Sequence, residues 1–296
     1  MAFNIQPALT IREALRQATA FLKEHGIEEA RLNAEWILSH ELGCARLELS
    51  LRHKDLLPPA SGRTFQERIN RAAAGEPVQY ILGTAEFMGH TFQVDRRCLI
   101  PRPETERLVE WILGFDSLWN NAVNPALADV GTGSGCIAIS LALDRPAGSY
   151  LASDSDPDAL SLARENASRH GMQNRIRFCQ DNLLSSQPPD SLDAVVSNPP
   201  YVRTGDCAQL PAGIRDHEPR AALDGGADGL AVIRPLIAQA ACVLKPGGWL
   251  FLEIGDEQAE SIKGLLKENR FVEVAVRPDL AGKDRIALAR RPVAMN

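Results

Sequence analysis

The chain has 296 residues, and its 32 Lys and Arg against 38 Asp and Glu give a formal net charge of -6 at pH 7. That length is enough for one large domain and a smaller one. The acidic balance argues against a protein that wraps a nucleic-acid backbone, because such proteins usually carry a basic stripe. We therefore expect no DNA partner.

The patterns of cysteine, histidine and apolar residues exclude further classes of protein. The six cysteines include no Cys-x-x-Cys pair and the six histidines form no metal-binding motif, so we expect reduced thiols and no metal. No stretch approaches 18 consecutive apolar residues, and the first residues lack the basic start of a secretion signal. The sequence predicts a cytoplasmic protein without a membrane span.

Residues 1–74 predict a small helical domain. Thr10 suits a helix N-cap and Gly26 a helix end, and the apolar positions between them share one face. Two more amphipathic patterns follow, so we expect three helices, over about Thr10–His25, Glu28–Leu42 and Ser61–Ala74. Such a bundle can stabilise the protein or dock a macromolecular substrate, and these residues alone leave both functions open.

Residues 75–99 predict a linker between two domains. Gly75-Glu76-Pro77 ends the helical pattern, and aromatic and β-branched residues over Gln79–Glu86 and His90–Val94 flank a turn at Met88-Gly89. We expect a β-hairpin here that leads into a second domain over residues 100–296.

Residues 100–296 alternate between strand-like and helix-like segments, which is typical of an α/β domain. Pro103 suits the first turn of a helix, with Glu104 and Glu106 near its positive end. We predict a seven-stranded, doubly wound, Rossmann-like sheet whose last two strands form an antiparallel hairpin. The predicted strands are Ala126–Val130, Tyr150–Asp154, Ile176–Cys179, Asp193–Val196, Trp249–Ile254, Phe271–Val276 and Arg285–Ala289.

A glycine-rich loop, Asp129-Val130-Gly131-Thr132-Gly133-Ser134-Gly135, ends the first strand of this domain. Its glycines allow a tight turn against which a ligand can lie without interference from Cβ atoms. Asp154 ends the next strand about twenty residues later, where a carboxylate can bind both hydroxyls of a ribose. Asp181, after the third strand, can accept a hydrogen bond from an adenine amine. The pattern predicts a cofactor that contains adenosine.

Two cofactors fit this loop. Gly133-x-Gly135-x-x-Ala138 satisfies the dinucleotide fingerprint, so a nicotinamide-dependent dehydrogenase is one interpretation. S-adenosylmethionine is favoured by Asp129, which can reach a cationic amino-acid group, by Asp181 and by an Asn-Pro-Pro-Tyr motif after the fourth strand. A hydride-transfer enzyme has no evident need for that motif.

The motif Ser197-Asn198-Pro199-Pro200-Tyr201 follows the fourth predicted strand, at the edge where α/β sheets bind ligands. Two prolines fix φ and lack N–H donors, which makes the turn stiff. The oxygen of Asn198 and a neighbouring carbonyl can accept both N–H groups of a planar NH2, and Tyr201 offers an apolar face. Since the lone pair of such a nitrogen is delocalised, a catalyst contributes by orienting it. A structural loop without chemistry is the alternative.

Together these motifs resemble the peptide chain release factor glutamine methyltransferases, the PrmC/HemK family. The Asn-Pro-Pro-Tyr motif by itself is shared with amino-directed DNA methyltransferases. The resemblance becomes specific to the PrmC/HemK family through the stretch Ile100-Pro101-Arg102-Pro103-Glu104-Thr105-Glu106. The likeness covers nearly the whole chain and is also carried by Gly75-Glu76-Pro77, Tyr80-Ile81-x-Gly83, Glu86-Phe87-x-Gly89, Asp129-x-Gly131-Thr132-Gly133-Ser134-Gly135, Glu218-Pro219 and Asp279-Leu280-Ala281-Gly282-Lys283-Asp284-Arg285.

The resemblance implies a class I methyltransferase that uses S-adenosylmethionine, without a metal, to methylate N5 of the glutamine in the Gly-Gly-Gln motif of class-I release factors. It implies a helical domain that docks this substrate, and we expect a monomer. By position, it implies cofactor contacts for Asp129, Gly131, Thr132, Gly133, Ser134, Gly135, Asp154, Asp181, Asn182 and Asn198. It implies catalytic roles for Asn198, Pro199, Pro200 and Tyr201, with Asn198 and the Pro199 carbonyl holding the glutamine NH2. Asn182 departs from the pattern, because some members have an aromatic residue there.

Two other classes of protein stay open. A DNA or RNA amino-methyltransferase can use the same motif on a flipped base, although the acidic chain argues against it. A non-catalytic docking protein is the second, and the full set of site residues argues against that.

Overall fold

The computed structural model describes residues 2–5, 8–120 and 123–293. In this part of the chain the helices are α1 Ile11–Glu24, α2 Ala30–Glu41, α3 Glu48–Leu51, α4 Pro59–Ala73, α5 Val78–Leu82, α6 Pro103–Leu113, α7 Asp116–Trp119, α8 Cys136–Asp144, α9 Pro157–Arg169, α10 Ala212–Arg215, α11 Ile233–Val243 and α12 Ala259–Glu268. The strands are β1 Thr84–Phe87, β2 His90–Gln93, β3 Ala126–Val130, β4 Ser149–Asp154, β5 Ile176–Gln180, β6 Leu192–Ser197, β7 Leu244–Glu253, β8 Val272–Pro278 and β9 Asp284–Arg290.

The chain divides into two compact units. One comprises Met1–Thr84 and Pro211–His217, and the other comprises Ala85–Leu210 and Glu218–Asn296. Within the described ranges, no helix is both long enough and apolar enough to cross a lipid bilayer.

The first unit is a helical bundle, and its first helix begins where the sequence predicts, whereas the second begins at Ala30, two residues after the predicted Glu28. Thr10 caps α1 with a capping box, since its Oγ1 accepts from the backbone N–H of Glu13 and Glu13 Oε2 accepts from the N–H of Thr10 at 2.9 Å. The third predicted helix, α4, starts at Pro59 rather than Ser61, because proline suits the first turn. The buried faces of α1, α2 and α4 form one core, centred on Ile11, Leu22, Ile37, Leu38, Phe65 and Ile69.

The predicted hairpin exists but is shorter than expected. Residues Val78–Leu82 form the helix α5 instead of strand, and Gly83 ends that helix in the left-handed region, with φ +74°. Pro77 immediately before α5 favours a helix start over an extended strand. The first strand therefore begins at Thr84, and Phe87 and Phe92 pack edge to face with ring centroids 6.0 Å apart.

The second unit holds a seven-stranded sheet in the order β5-β4-β3-β6-β7-β9-β8. Strands β3 to β7 run parallel, and β9 is antiparallel to both β7 and β8, as the sequence predicted for the final hairpin. Strand β7 begins at Leu244 rather than at the predicted Trp249, because Leu244 still pairs with Leu192 before the register shifts. These findings confirm the predicted Rossmann-like α/β fold.

Side-chain alternation along the strands builds a core on each face of this sheet. In β6, Ala194 and Val196 face one core and Val195 faces the other, and the apolar residues of β7 alternate in the same way. Helices α6 and α8 cover the first face and α11 and α12 the second. Because burying one Leu, Ile or Phe side chain contributes roughly 1.5–3 kcal/mol, this double core holds the ends of the central strands firmly in register.

Candidate active site

A cleft of about 270 Å³ lies at the carboxyl ends of the central strands β3, β4 and β6. Strand β3 lies between β4 and β6, so the chain crosses to opposite sides of it, which is the switch point where α/β sheets bind ligands. The cleft is lined by these predicted site residues: Gly131, Thr132, Gly133, Ser134, Asp154, Asp181, Asn182, Asn198 and Pro200. The other predicted residues, which do not line it, are Asp129, Gly135, Pro199 and Tyr201.

The glycine loop has a backbone that only glycine adopts without strain. Gly131, Gly133 and Gly135 have φ values of +71°, +54° and +81°. A Cβ added at Gly131 would meet no protein atom within 4 Å, whereas one at Gly135 would lie 3.0 Å from Ile139 and 3.2 Å from Ala163. Gly131 thus leaves room in the cleft, and Gly135 allows α8 and α9 to pack closely.

Asp129 lies at the base of this loop rather than on the cleft wall. Its Oδ2 accepts from Thr132 Oγ1 at 2.6 Å and from the N–H of Ala138 at 3.1 Å. Its Oδ1 is buried and has no hydrogen-bond partner among the described residues. Burial raises the pKa of Asp129 to about 7, although the two hydrogen bonds act in the opposite direction. The side chain holds the loop closed, and its contact with a cofactor stays a prediction.

Asp154 lines the cleft and also supports the loop. Its Oδ2 accepts from the N–H of Gly133 at 3.0 Å, and its Oδ1 accepts from the N–H of Asp156 at the same distance. Burial raises the pKa of its carboxyl above the usual range, against the effect of these backbone donors. Since each carboxylate oxygen can accept a second bond, Asp154 keeps capacity for ligand hydroxyls.

Asp181 is held by its own loop more strongly than the sequence suggested. Its carboxylate accepts from Ser185 Oγ at 2.6 Å, from the N–H and Oγ of Ser186 at 3.0 and 2.6 Å, and from Gln187 Nε2 at 3.3 Å. Burial alone would raise the pKa of Asp181, but these donors outweigh it and lower the pKa. Asn182 is exposed on the cleft wall beside it. The carboxylate is largely satisfied, so its adenine contact stays a prediction.

Asn198 stands directly after β6 and is tied to two side chains that the sequence did not single out. Its Nδ2 donates to Thr105 Oγ1 at 3.1 Å, and Thr105 Oγ1 donates to Glu253 Oε2 at 2.6 Å. Tyr201 donates to Glu253 Oε1 at 3.3 Å. We call Asn198, Thr105, Glu253 and Tyr201 the Asn198 hydrogen-bond chain. It joins both ends of the Asn-Pro-Pro-Tyr motif to one buried carboxyl group.

The environment of Glu253 raises the pKa of its carboxyl group. The residue is 1 % exposed, and this burial raises its pKa to about 7, an effect to which Glu104 adds. Thr105, Arg285 and Tyr201 act in the opposite direction. Burial and the charge of Glu253 also raise the pKa of the Tyr201 hydroxyl, which therefore stays protonated at neutral pH.

Comparison with known proteins decides the family. Residues 13–83 match the PrmC N-terminal domain and residues 116–211 match the methyltransferase small domain. The chain is 42 % identical over 284 residues to a release factor glutamine methyltransferase of Moorella thermoacetica, covering 96 % of this chain and 99 % of the relative. It is 40 % identical over 281 residues to a protein of the same name from Geobacter sulfurreducens, covering 95 % and 96 %.

The chain belongs to the release factor glutamine methyltransferase family. This confirms the resemblance found in the motifs. Among solved structures, the catalytic domain of hMettl16, determined in complex with MAT2A 3′UTR hairpin 6, aligns with a TM-score of 0.55 at 16 % identity. That alignment covers 79 % of this chain and 83 % of that domain and shows the shared methyltransferase fold.

Some functional candidates of this family member were missed by sequence reasoning. Glu253 is a single acid that directly follows the apolar run of residues 249–252 at the end of β7, and a charge in a buried strand is the signal that could have revealed it. Thr105 lies in the stretch of residues 100–106, which distinguishes the resembled family from other methyltransferases. Within that stretch, the sequence pattern indicates a helix start with acids near its positive end, but it indicates no role for Thr105. Of those acids, Glu106 accepts from the N–H of Met88 at 2.6 Å and so supports the hairpin turn.

Proposed function

We propose that this chain transfers a methyl group from S-adenosylmethionine to N5 of the glutamine in the Gly-Gly-Gln motif of class-I release factors. The observation that carries this proposal is the position of Asn198, which shares one cleft with the glycine loop and has its amide held by Thr105. Family membership supports the same acceptor. In this proposal Asn198, Pro199, Pro200 and Tyr201 act on the substrate amide.

The cleft fits S-adenosylmethionine on the donor side. Open space over the backbone of Gly131 leaves room for a ligand against the loop, and Asp154 offers free lone pairs for ribose hydroxyls. We infer that the loop residues would hold the amino-acid and ribose parts, with Asp181 and Asn182 near the adenine. When bound, this co-substrate supplies an electrophilic methyl group on a sulfonium centre. Among the described residues, no cluster of His, Cys, Asp and Glu is arranged to hold a metal ion.

On the acceptor side, the chain would orient a weakly nucleophilic amide. With Nδ2 of Asn198 bound to Thr105, its Oδ1 can accept one N–H of the substrate amide, and the carbonyl of Pro199 the other. Acceptors fixed in this way favour the geometry at nitrogen that attack requires. An alkylated amide nitrogen loses its proton readily, so the site needs no strong base. The main contribution of these residues is positioning.

The proposal is tested by transfer of labelled methyl from S-adenosylmethionine to a purified class-I release factor. Two other acceptors are run beside it: the same factor with the Gly-Gly-Gln glutamine replaced by alanine, and duplex DNA. We expect label on the intact factor alone. Label on DNA would favour a base-methylating enzyme, and label on no acceptor would favour a docking protein.

A further inference from the structure

The Asn198 hydrogen-bond chain has a fixed direction. Thr105 Oγ1 carries a single hydrogen. When Glu253 is ionised, the hydroxyl of Thr105 donates this hydrogen in a 2.6 Å hydrogen bond to Glu253 Oε2. The lone pairs of Thr105 then remain for Asn198, and they can accept only from an N–H group. The amide of Asn198 must therefore present its Nδ2 to Thr105.

The opposite end of the amide is thereby fixed as well. Asn198 Oδ1 accepts no hydrogen bond from the described residues, and Asn198 lines the cleft. If Glu253 carried a proton on Oε2, that proton would go to Thr105, whose own hydrogen would then be free for Asn198. Asn198 would receive it on Oδ1, which requires the amide to rotate by a half-turn. The protonation state of Oε2 of this one buried carboxyl thus decides which amide atom faces the substrate.

We propose that Thr105 and Glu253 are positioning residues, which act through Asn198 by holding its amide with Oδ1 directed to the substrate NH2. They touch no reacting atom themselves. The proposal deepens the proposed function and rests on it for the identity of the substrate, but the orientation of the Asn198 amide can be measured without any substrate.

The groups around Glu253 make this orientation sensitive to pH. Arg285 on β9 favours the carboxylate, as do the hydrogen bonds from Thr105 and Tyr201, whereas Glu104 on α6 opposes it. Burial outweighs the favourable contacts and raises the pKa to about 7. Protonation of Glu253 therefore falls in the range where the enzyme can be studied folded, and the active orientation belongs to the ionised form.

The first test is NMR of the free protein with ¹⁵N-labelled asparagine. The side-chain NH2 signal of Asn198 is identified by its loss in Asn198→Asp and followed from about pH 5.5 to about pH 8.5, a range that spans the titration of a raised carboxyl. We expect it to shift with a midpoint near 7 in the wild type and to be independent of pH in Glu253→Gln and Thr105→Val. An Asn198 signal that is flat in the wild type, or that titrates unchanged in Thr105→Val, would overturn the proposal.

The chain offers a matched control outside the cleft. Thr91 Oγ1 donates to Glu86 Oε1 at 2.6 Å, the same length as the bond from Thr105 to Glu253. Thr91→Val and Glu86→Gln remove equivalent groups from the surface hairpin. We expect both to leave the Asn198 signal and its midpoint as in the wild type. Thr105→Ser keeps the hydroxyl and should restore the titration that Thr105→Val removes.

The second test of the proposal measures the kinetics of methyl transfer. We expect Thr105→Val to lower kcat for methyl transfer by about 10- to 100-fold, as for a misplaced reacting group, with the Kd for S-adenosylmethionine nearly unchanged. We also expect the wild-type kcat to fall below pH 7, as Glu253 is protonated, and we expect Glu253→Gln to lack that fall. If the NMR titration is present but no release factor is methylated, the proposed function fails and the positioning role stands. If methylation occurs and kcat is unaffected in Thr105→Val, the positioning role fails alone.

Discussion

Arg102 donates from Nη2 to Glu218 Oε1 at 2.5 Å, although 116 residues of sequence separate them. The other oxygen, Oε2, accepts from the backbone N–H of Ile100 at 3.2 Å, and the side chain of Glu218 is only 1 % exposed. Ile100, Arg102 and Pro219 all line the cleft. This pair therefore connects two segments of the cleft wall around one buried charge.

Removing the guanidinium of Arg102 should destabilise the folded protein, because it leaves the buried carboxylate of Glu218 without a cationic partner. We expect Arg102→Met to lower the free energy of unfolding by about 3–5 kcal/mol, and we expect Arg102→Met with Glu218→Gln to recover part of the loss. Urea unfolding followed by circular dichroism measures both. Arg203→Met is the control, since Arg203 pairs with Glu257 at the surface and should cost about 1 kcal/mol or less. Equal losses in Arg102→Met and Arg203→Met would contradict the role of the buried pair.

Asn198→Ala should separate catalysis from cofactor binding. It removes the amide that would accept from the substrate while leaving the glycine loop and Asp154 intact, so we expect kcat to fall by about 10²- to 10³-fold. Calorimetry with S-adenosylmethionine should give a Kd close to that of the wild type. Asn269→Ala, which removes an amide that donates to Leu265 at the end of α12, should leave both quantities unchanged. Loss of cofactor binding alone in Asn198→Ala would exclude the catalytic role.

The fold was predictable because its signals are local. Short apolar strands ended by Asp129 and Asp154, glycines that need a positive φ, and prolines at helix starts each act within a few residues of themselves. The errors were local as well. Helix α5 replaced a predicted strand because Pro77 outweighed the aromatic and β-branched residues that followed it.

The site was predictable only in part, because its supporting contacts are long-range. Asn198 could be placed after a strand, but its partner Thr105 lies 93 residues before it, and Glu253 lies 148 residues after Thr105. The side chain of Asp129 points under the glycine loop because Thr132 in that loop donates to its Oδ2. The sequence could not predict that one oxygen of this carboxyl group is bonded and the other is left without a partner among the described residues. Contacts of this kind follow from the tertiary packing of the sheet.

Two loop glycines should fail in different ways when replaced by alanine. Both substitutions place an alanine in the left-handed region, at a cost of about 1–2 kcal/mol. Gly135→Ala adds close contacts with Ile139 and Ala163, so we expect a further loss of stability in urea unfolding. Gly131→Ala meets no protein atom, so its additional effect should be weaker binding of S-adenosylmethionine.

Gly171 is the matched control for Gly131. Its φ is +70° and an added Cβ would also meet open space, but it lies outside the cleft lining. Gly171→Ala should therefore lose the same stability as Gly131→Ala and keep the wild-type Kd in calorimetry. If Gly131→Ala also binds S-adenosylmethionine normally, the loop does not hold the cofactor as proposed.

The buried carboxyl of Asp129 should make stability depend on pH. Burial raises its pKa in the folded state to about 7, whereas in the unfolded chain its pKa is about 3.9. Between these values the folded protein holds one proton more than the unfolded chain, so its contribution to stability is complete at low pH and is lost as pH rises toward 7. Asp129→Asn keeps an acceptor for Thr132 and has no such titration.

We therefore expect Asp129→Asn to gain stability relative to the wild type as pH rises from about 5 to about 8, by an amount on the order of a few kcal/mol. Urea unfolding at several pH values gives the difference directly, and subtraction removes the titration of all other groups. Asp116→Asn, on the exposed start of α7, controls for the loss of one negative charge at the surface. A difference between wild type and Asp129→Asn that stays constant with pH would mean that Asp129 is already ionised in the folded protein over this range, which would contradict the raised pKa.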